Sequence, residues 1–314
     1  MAHNVETMAY AGEVPWHGLG VPVINDLTPA QMMDKAGLNW KVEKQPMFFR
    51  HNGDLEAVPG KEVLVRDTDG KVLDVVGKGW NPVQNEEAFD FFNDFVMNGD
   101  MQMHTAGSLQ EGKLTWALAK VNEDFELFGG DKVESYLMFS NPHKFGASIT
   151  VSFTPIRVVC NNTLNMALQG ASGKGVRVSH RTAFDADSVK ELLGVASEQL
   201  NTYKEAAAFL GSKRFTEESL TNYIKAVFPN TNTKAKDPTN VSRTAKTVLD
   251  LVETQPGAEF AEGTFWQAFN AVTFATDHVV GREADSRMAS AWFGANQTKK
   301  LKALDKAIEF AEAV

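Results

Sequence analysis

The sequence predicts an α+β protein, with an antiparallel sheet and packed helices in the N-terminal half and a helical C-terminal half. Up to about residue 185, short runs of alternating apolar and polar residues are separated by turn residues, which is typical of hairpins. After Asp185 the apolar residues recur almost exclusively at helical spacing. We therefore expect a mixed sheet domain at 1–185 and a helical domain at 186–314, the latter with a flexible loop at 229–240.

The first predicted elements are a strand, a hairpin and a helix. Lys41 to Arg50 forms the strand, and residues 61–67 and 71–77 flank Thr68-Asp69-Gly70, a good turn because glycine accepts positive φ. Asn85 is the expected N-cap of an amphipathic helix over about 86–97, since two glutamates follow it where the helix dipole favours negative charge.

Two further strand pairs follow, at 101–109 with 113–121 and at 132–140 with 147–154. In the last strand apolar residues alternate with a row of hydroxyls, which predicts a half-exposed sheet; the hydroxyl residues are Ser148, Thr150, Ser152 and Thr154. Pro155 is expected to end this strand, and residues 158–168 to form a helix beneath it.

Beyond residue 185 the pattern predicts six helices, several with Ser or Thr near their starts. The expected ranges are 188–210, 216–228, 242–253, 264–280, 283–292 and 298–313.

Composition restricts the class of protein. The 314 residues include 40 acidic and 31 basic ones, a formal charge of -9, which argues against a surface that is basic throughout. Cys160 is the single cysteine, so no internal disulfide can form and a reducing compartment is expected. No apolar run is long enough for a membrane span, and the opening residues do not resemble a secretion signal, so we expect a cytoplasmic protein.

One segment departs from the acidic average. No Asp or Glu occurs from Ser135 to Phe184, whereas the segment holds five cations: Lys144, Arg157, Lys174, Arg177 and Arg181. A buried sheet excludes carboxylates because their burial is costly, and that interpretation suits residues 145–168. The glycine-rich stretch that follows, at 170–181, is too polar for a core and is interpreted as a loop facing an anion.

Motifs that identify common enzymes are absent. The sequence contains no GxxxxGK[ST], GxGxxG, HExxH, GxSxG or CxxC. The seven histidines are scattered without the spacing of a metal cluster, so we expect neither a metal nor a cofactor. An enzyme that uses Cys160 with a distant histidine, or the pair Asp277-His278, is the least favoured hypothesis.

Two tryptophans stand in segments that resemble loops. Trp16 lies in PWHGLG and Trp80 in GKGWNP, where glycine and proline argue against a helix or strand. Such a ring could stack on a ligand, or it could anchor a terminal arm to the core.

Several segments together resemble a phage- and plasmid-borne protein family known as the domain of unknown function nine-three-two. The most distinctive is RVVCNNTL, at 157–164. The others are PWHGLG at 15–20, GWNPVQN at 79–85, HTAGSL at 104–109, RVSH at 177–180 and TFWQAFNAVT at 264–273.

The resemblance implies a mobile element in a bacterial cytoplasm, and the outline of hairpins and helices is similar to phage single-strand annealing proteins. The similarity in outline implies a cofactor-independent protein that binds and anneals single-stranded DNA in recombination and forms a homo-oligomeric ring or filament. The expected phosphate-binding residues are Lys144, Arg157, Lys174, Arg177, His180 and Arg181. The alternative is a non-enzymatic structural or host-interaction protein that binds a host or phage protein.

Overall fold

The computed structural model describes residues 4–13, 15, 18–122, 124–157, 162–163, 176–194, 197–230, 241–281 and 284–314. Sheets occupy the N-terminal half and helices lie mostly in the C-terminal half, so the predicted α+β class is confirmed.

The described residues form twelve strands. They are β1 (Val5–Ala11), β2 (Val21–Val23), β3 (Val42–His51), β4 (Asp54–Arg66), β5 (Val72–Gly77), β6 (Met101–Leu109), β7 (Leu114–Val121), β8 (Phe125–Leu127), β9 (Asp131–Pro142), β10 (Ile149–Arg157), β11 (Asn162–Thr163) and β12 (Val176–Val178).

The described residues also form ten α-helices. They are α1 (Pro29–Lys35), α2 (Asn85–Asp90), α3 (Asn93–Met97), α4 (Ala186–Gly194), α5 (Ser197–Ser212), α6 (Glu217–Val227), α7 (Arg243–Leu251), α8 (Phe265–Phe274), α9 (Ala284–Phe293) and α10 (Ala295–Glu312). A π-helical turn, Ala275–Val279, continues α8. The helices predicted beyond residue 185 correspond to α4–α10, and the first of them covers both α4 and α5.

The chain divides into two compact units. The first comprises residues 1–122, 136–153 and 168–195, and the second comprises 123–135, 154–167 and 196–314. The boundary predicted at residue 185 falls within 168–195, the last segment of the first unit. Residues 231–240, which make up most of the loop predicted at 229–240, lie outside the described residues.

A large sheet forms the centre of the first unit. Its strands lie in the order β12, β10, β9, β7, β6, β1, β2. The pairs β12–β10, β9–β7, β7–β6 and β6–β1 are antiparallel, and β1 and β2 are parallel. β7 is buried on both faces from Leu114 to Ala119, which explains why its apolar and small residues do not alternate with polar ones. In the second unit, β8 pairs with the start of β9 and β11 with the end of β10.

A bulge in β1 directs Glu6 toward an arginine. The register with β6 shifts between Val5 and Thr7, so Glu6 is the extra residue. Its two carboxylate oxygens accept hydrogen bonds from the Arg66 guanidinium at 3.0 and 2.9 Å. Arg66 also binds Asp69, whose pKa falls to about 2 because of that hydrogen bond, and lies over the Trp40 ring. The bulge therefore joins β1 to the last residue of β4.

A second sheet of the first unit has the order β3, β4, β5. The turn predicted between β4 and β5 is confirmed, since Gly70 has φ +69°. β3 and β4 continue beyond β5 as a two-stranded arm, residues 46–60, in which Phe48, Phe49 and Leu55 are exposed.

The helix predicted over 86–97 is interrupted. α2 ends at Asp90 and α3 begins at Asn93, because Phe89, Phe91 and Phe92 are all buried and a straight helix cannot direct all three to one face. Its N-cap is Gln84, whose N–H donates to the Glu87 side chain at 2.8 Å, and not the predicted Asn85.

Asn85 instead lies in a buried polar network. Its Nδ2 donates to the carbonyl of Leu38 at 3.1 Å, and its Oδ1 accepts from Thr115 Oγ1 at 3.0 Å and from His143 Nε2 at 3.2 Å. The predicted cap is therefore a core residue that joins β7 to the end of β9.

The core of the second unit surrounds α8. Every residue from Phe265 to Thr273 is buried, and α5, α6, α7 and α10 contact this helix. Thr216, Ser242 and Thr264 cap α6, α7 and α8 through their side-chain oxygens, as the sequence pattern predicted.

Two predictions about the end of β10 and the residues that follow it are wrong. Pro155 lies inside β10 and does not end it. Asn162 and Thr163, expected in a helix, form β11 and pair with Arg157 and Ile156 of β10. Pairing with the preceding strand thus replaces the helical preference of these residues. The other residues of the predicted helix lie outside the described part of the chain, Cys160 among them.

Candidate nucleic-acid interface

The hydroxyl row of β10 is accessible only at its beginning. Ser148 and Thr150 are half-buried, whereas Ser152 and Thr154 are buried. Ile149 and Val151, on the opposite face, are fully buried. The half-exposed face predicted for this strand is therefore restricted to the end where the chain enters it.

Arg177 lies beside that accessible end. Residues 176–178, predicted as part of a loop, form β12, which pairs with the outer edge of β10. In this register Arg177 is directly opposite Thr150, so the two side chains share one face of the sheet. Arg177 is exposed. The pairing places a guanidinium next to a hydroxyl at the surface.

Arg181 and His180 follow β12 in the chain but differ in exposure. Arg181 is exposed, and its N–H donates to Ser179 Oγ at 3.2 Å. His180 is only 2% exposed, and its Nδ1 lies 3.0 Å from the carbonyl oxygen of Asn81. Burial lowers the pKa of His180, although hydrogen bonds to the backbone of Asn81 and Pro142 act in the opposite direction. His180 therefore belongs to the core.

Lys144 lies in the turn between β9 and β10. Its Nζ donates to Gln110 Oε1 at 3.0 Å, and the side chain is half-buried. Burial is the main cause that lowers its pKa, and the nearby ammonium group of Lys113 lowers it further. The Asp74 carboxylate acts in the opposite direction and raises the pKa of Lys144.

The acidic groups around these lysines already have partners. Both oxygens of Asp74 accept backbone N–H groups, from Val75 at 2.7 Å and from Phe145 at 2.8 Å. Glu111 forms an ion pair with Lys71 at 2.9 Å. Lys113 and Lys144 are both half-buried cations of this turn.

The structure brings four of the six predicted residues to one end of the large sheet. Lys144 lies in the turn that enters β10, and Arg177, His180 and Arg181 lie on β12 or just after it. Arg177 and Arg181 are exposed, Lys144 is half-buried, and His180 is buried. Lys174 and the side chain of Arg157 lie outside the described part of the chain.

Sequence reasoning did not select Lys113 and Phe145. Phe145 is 64% exposed, and the backbone N–H of His143 donates to the Lys113 carbonyl at 2.9 Å. The available signal was the succession His143-Lys144-Phe145-Gly146, an aromatic residue in a basic turn between two strands. Of the two tryptophans in loop-like segments, Trp80 is buried and Trp16 lies outside the described residues.

The residues considered for catalysis have other contacts. Asp277 Oδ1 accepts from the buried Lys300 Nζ at 2.6 Å, and the His278 ring lies 4.7 Å from that of Phe274. Within the described ranges, no three side chains of His, Cys, Asp or Glu gather closely enough to hold a metal ion. Among the helices that the structure describes, none is long and apolar enough to cross a bilayer.

Comparison with protein families gives one result. A family model described as "Domain of unknown function (DUF932)" matches residues 72–300, which is more than half of the chain. The chain belongs to the DUF932 family. All six predicted phosphate-binding residues lie inside the DUF932 match, as do Lys113 and Phe145. Comparison with curated proteins and with solved structures finds no match for this DUF932 protein.

Proposed function

We propose that this DUF932 protein binds and anneals single-stranded DNA without a cofactor, as a protein of a phage or plasmid that acts in recombination. The observation that carries the proposal is the register of β12 on β10. It sets the exposed Arg177 beside the Thr150 hydroxyl, with Arg181 and Lys144 at the same end of the sheet.

The chemistry of this surface suits a phosphate backbone. Guanidinium groups donate paired hydrogen bonds to phosphate oxygens, and hydroxyls add single donors. A sheet end that offers charges and hydroxyls, without a helix to enter a major groove, suits binding that is independent of sequence. The overall charge of -9 confines such binding to a local surface.

We further propose that the protein acts in the cytoplasm of a bacterial host and forms a homo-oligomeric ring or filament. Light scattering at micromolar concentration tests the assembly, because a mass near the 34.5 kDa monomer would contradict it.

The β3–β4 arm favours a second candidate function. Phe48, Phe49 and Leu55 are exposed on a two-stranded ribbon, which has marginal stability in water when nothing covers it. An apolar arm suits a structural or host-interaction protein whose partner is another protein. No binding of DNA at low salt, together with capture of a defined host or phage protein, would favour this alternative.

The decisive experiment is a salt titration of binding to a single-stranded oligonucleotide. Each phosphate contact adds about 0.7 to the slope of log affinity against log salt, so Arg177→Gln with Arg181→Gln should lower the slope by about 1.4. The matched control replaces two exposed arginines elsewhere, Arg50→Gln with Arg243→Gln, and should leave the slope unchanged. Absence of binding by the unaltered protein at low salt would refute the proposed function.

A further inference from the structure

The turn between β9 and β10 holds an aromatic ring in solvent. Phe145 is 64% exposed, yet the turn around it is tied to neighbouring elements. Its N–H donates to Asp74 of β5 at 2.8 Å. The preceding residues, His143 and Lys144, bond the backbone of Lys113 and the side chain of Gln110. Gly146, with φ +79°, completes the turn.

These ties distinguish Phe145 from an ordinary exposed apolar side chain. Single exposed apolar residues are common and need no explanation when their segment can move. Here the residues on both sides are fixed, since His143 and Ile149 are fully buried. The ring is therefore presented to solvent by a fixed backbone, and little conformational entropy remains to be lost when it contacts a flat ligand.

The groups that flank the ring are two lysines and one carboxylate, that of Asp74. Lys144 is the preceding residue, and Lys113 is near enough to lower the pKa of Lys144 by charge repulsion. The Asp74 carboxylate accepts two backbone N–H groups, so neither of its oxygens is left without a donor. A ligand that pairs an aromatic face with an adjacent negative charge matches this arrangement, and a nucleotide of a single strand has both.

We propose that Phe145 stacks on a base of single-stranded DNA while Lys113 and Lys144 contact the adjacent phosphate. This inference rests on the proposed function and assigns a base contact that the arginine surface does not supply. Stacking on a phenyl ring does not distinguish among the bases, so the contact is independent of sequence.

The exposed ring of Phe48 provides the matched control. It is 54% exposed and belongs to the same unit, but it lies on the β3–β4 arm. Residues 46–60 contain one arginine, Arg50, and two carboxylates, Asp54 and Glu56. The arm therefore has no excess of positive charge to hold a phosphate. An effect of stacking should therefore appear at Phe145 and not at Phe48.

The test compares Phe145→Ala, Phe145→Tyr and Phe48→Ala on an oligo(dT) strand. Phe145→Ala should raise Kd about tenfold at fixed salt while leaving the salt slope unchanged, because a stacked base carries no counterion. Phe145→Tyr should bind like the unaltered protein, and so should Phe48→Ala. The melting temperature should stay constant in all three, since both rings are exposed.

A second readout uses fluorescence. Phe145→Trp should show quenching by oligo(dT) beyond that of the native tryptophans, whereas Phe48→Trp should not. If the unaltered protein binds oligo(dT) with an Arg177-dependent slope but Phe145→Ala binds equally well, this inference fails and the proposed function stands. If the unaltered protein binds no oligo(dT), both fail together. Stronger binding of oligo(rU) than of oligo(dT) would overturn the assignment to DNA.

Discussion

The imidazole of His180 is stacked on the indole of Trp80, with 4.1 Å between ring centroids and 21° between ring planes. The backbone is joined at the same point, since the Asn81 N–H donates to the His180 carbonyl at 2.7 Å. Two of the segments that carry the family resemblance, GWNPVQN and RVSH, thus meet in the structure. Their contact joins the segment that follows β12 to the segment that precedes α2.

This contact predicts a structural role for His180. His180→Ala should lower the free energy of unfolding by about 1–3 kcal/mol, because it removes a buried stacked ring and leaves the Asn81 carbonyl without its donor. The salt slope of DNA binding should not change, as the ring contacts no solvent. Urea denaturation and the salt titration measure the two effects. Arg181→Ala is the control. It should lower the salt slope of DNA binding and leave the free energy of unfolding nearly unchanged.

The buried network around Asn85 predicts sensitivity to acid. Burial, together with the nearby His180, lowers the pKa of His143 from 6.5 to about 3. Between those values the unfolded chain binds a proton that the folded chain does not, so stability falls as the pH falls. The expected slope is at most about 1.4 kcal/mol per pH unit.

The variant that tests this acid sensitivity is His143→Gln. It can keep the donor toward Asn85 but does not titrate, so its stability should decline less than that of the unaltered protein from about pH 6 to pH 4. Denaturant midpoints at several pH values give the comparison. Parallel decline of the two proteins would show that His143 takes up its proton in both states alike.

Gly107 in HTAGSL should not tolerate a side chain. It pairs with Met8 in the sheet, and a Cβ at this position would lie 2.4 Å from the backbone carbonyl oxygen of Thr7. Because two paired strands would have to separate, Gly107→Ala should cost about 2–3 kcal/mol. Gly77→Ala is the control, since no atom lies within 4 Å of the added carbon. Equal melting temperatures for the two variants would contradict this argument.

The buried ion pair between Lys300 and Asp277 gives a prediction for the second unit. Lys300 is fully buried, and its burial lowers its pKa. Asp277→Ala should cost about 3–5 kcal/mol, because it leaves an ammonium group buried without this carboxylate. The double variant Asp277→Leu with Lys300→Met should recover most of that loss. If the double variant were less stable than Asp277→Ala, the burial of an unpaired charge would not be the cause of the stability that Asp277→Ala loses.

Local sequence signals predicted the parts of the fold that depend on local chemistry. The turn at Gly70 was predicted because glycine accepts positive φ, and the caps at Thr216, Ser242 and Thr264 because short hydroxyl side chains bind free N–H groups. Both signals act over a few residues, so no tertiary contact is needed to interpret them.

The failures occur where distant residues decide the outcome. Asn85 has the chemistry of an N-cap, but Thr115 and His143 recruit its side chain into the core. The pairing of Asn162 and Thr163 with β10 is a different case, because their partners are only five and seven residues away in the chain. In the candidate site, charge and glycine content identified Arg177 and Arg181. The exposure of Phe145 depends on hydrogen bonds to β5 and to the β6–β7 turn, which are remote in sequence.

The residues that the family model matches do not include every strand with which they pair in the two sheets. The match begins at the first residue of β5 and ends at Lys300, inside α10. A fragment cut to 72–300 would leave β5 without β4 and β6 without β1, exposing two ladders of unpaired amides. It would also delete Ala303, whose carbonyl accepts the buried Tyr223 hydroxyl. Such a fragment should therefore aggregate when it is expressed.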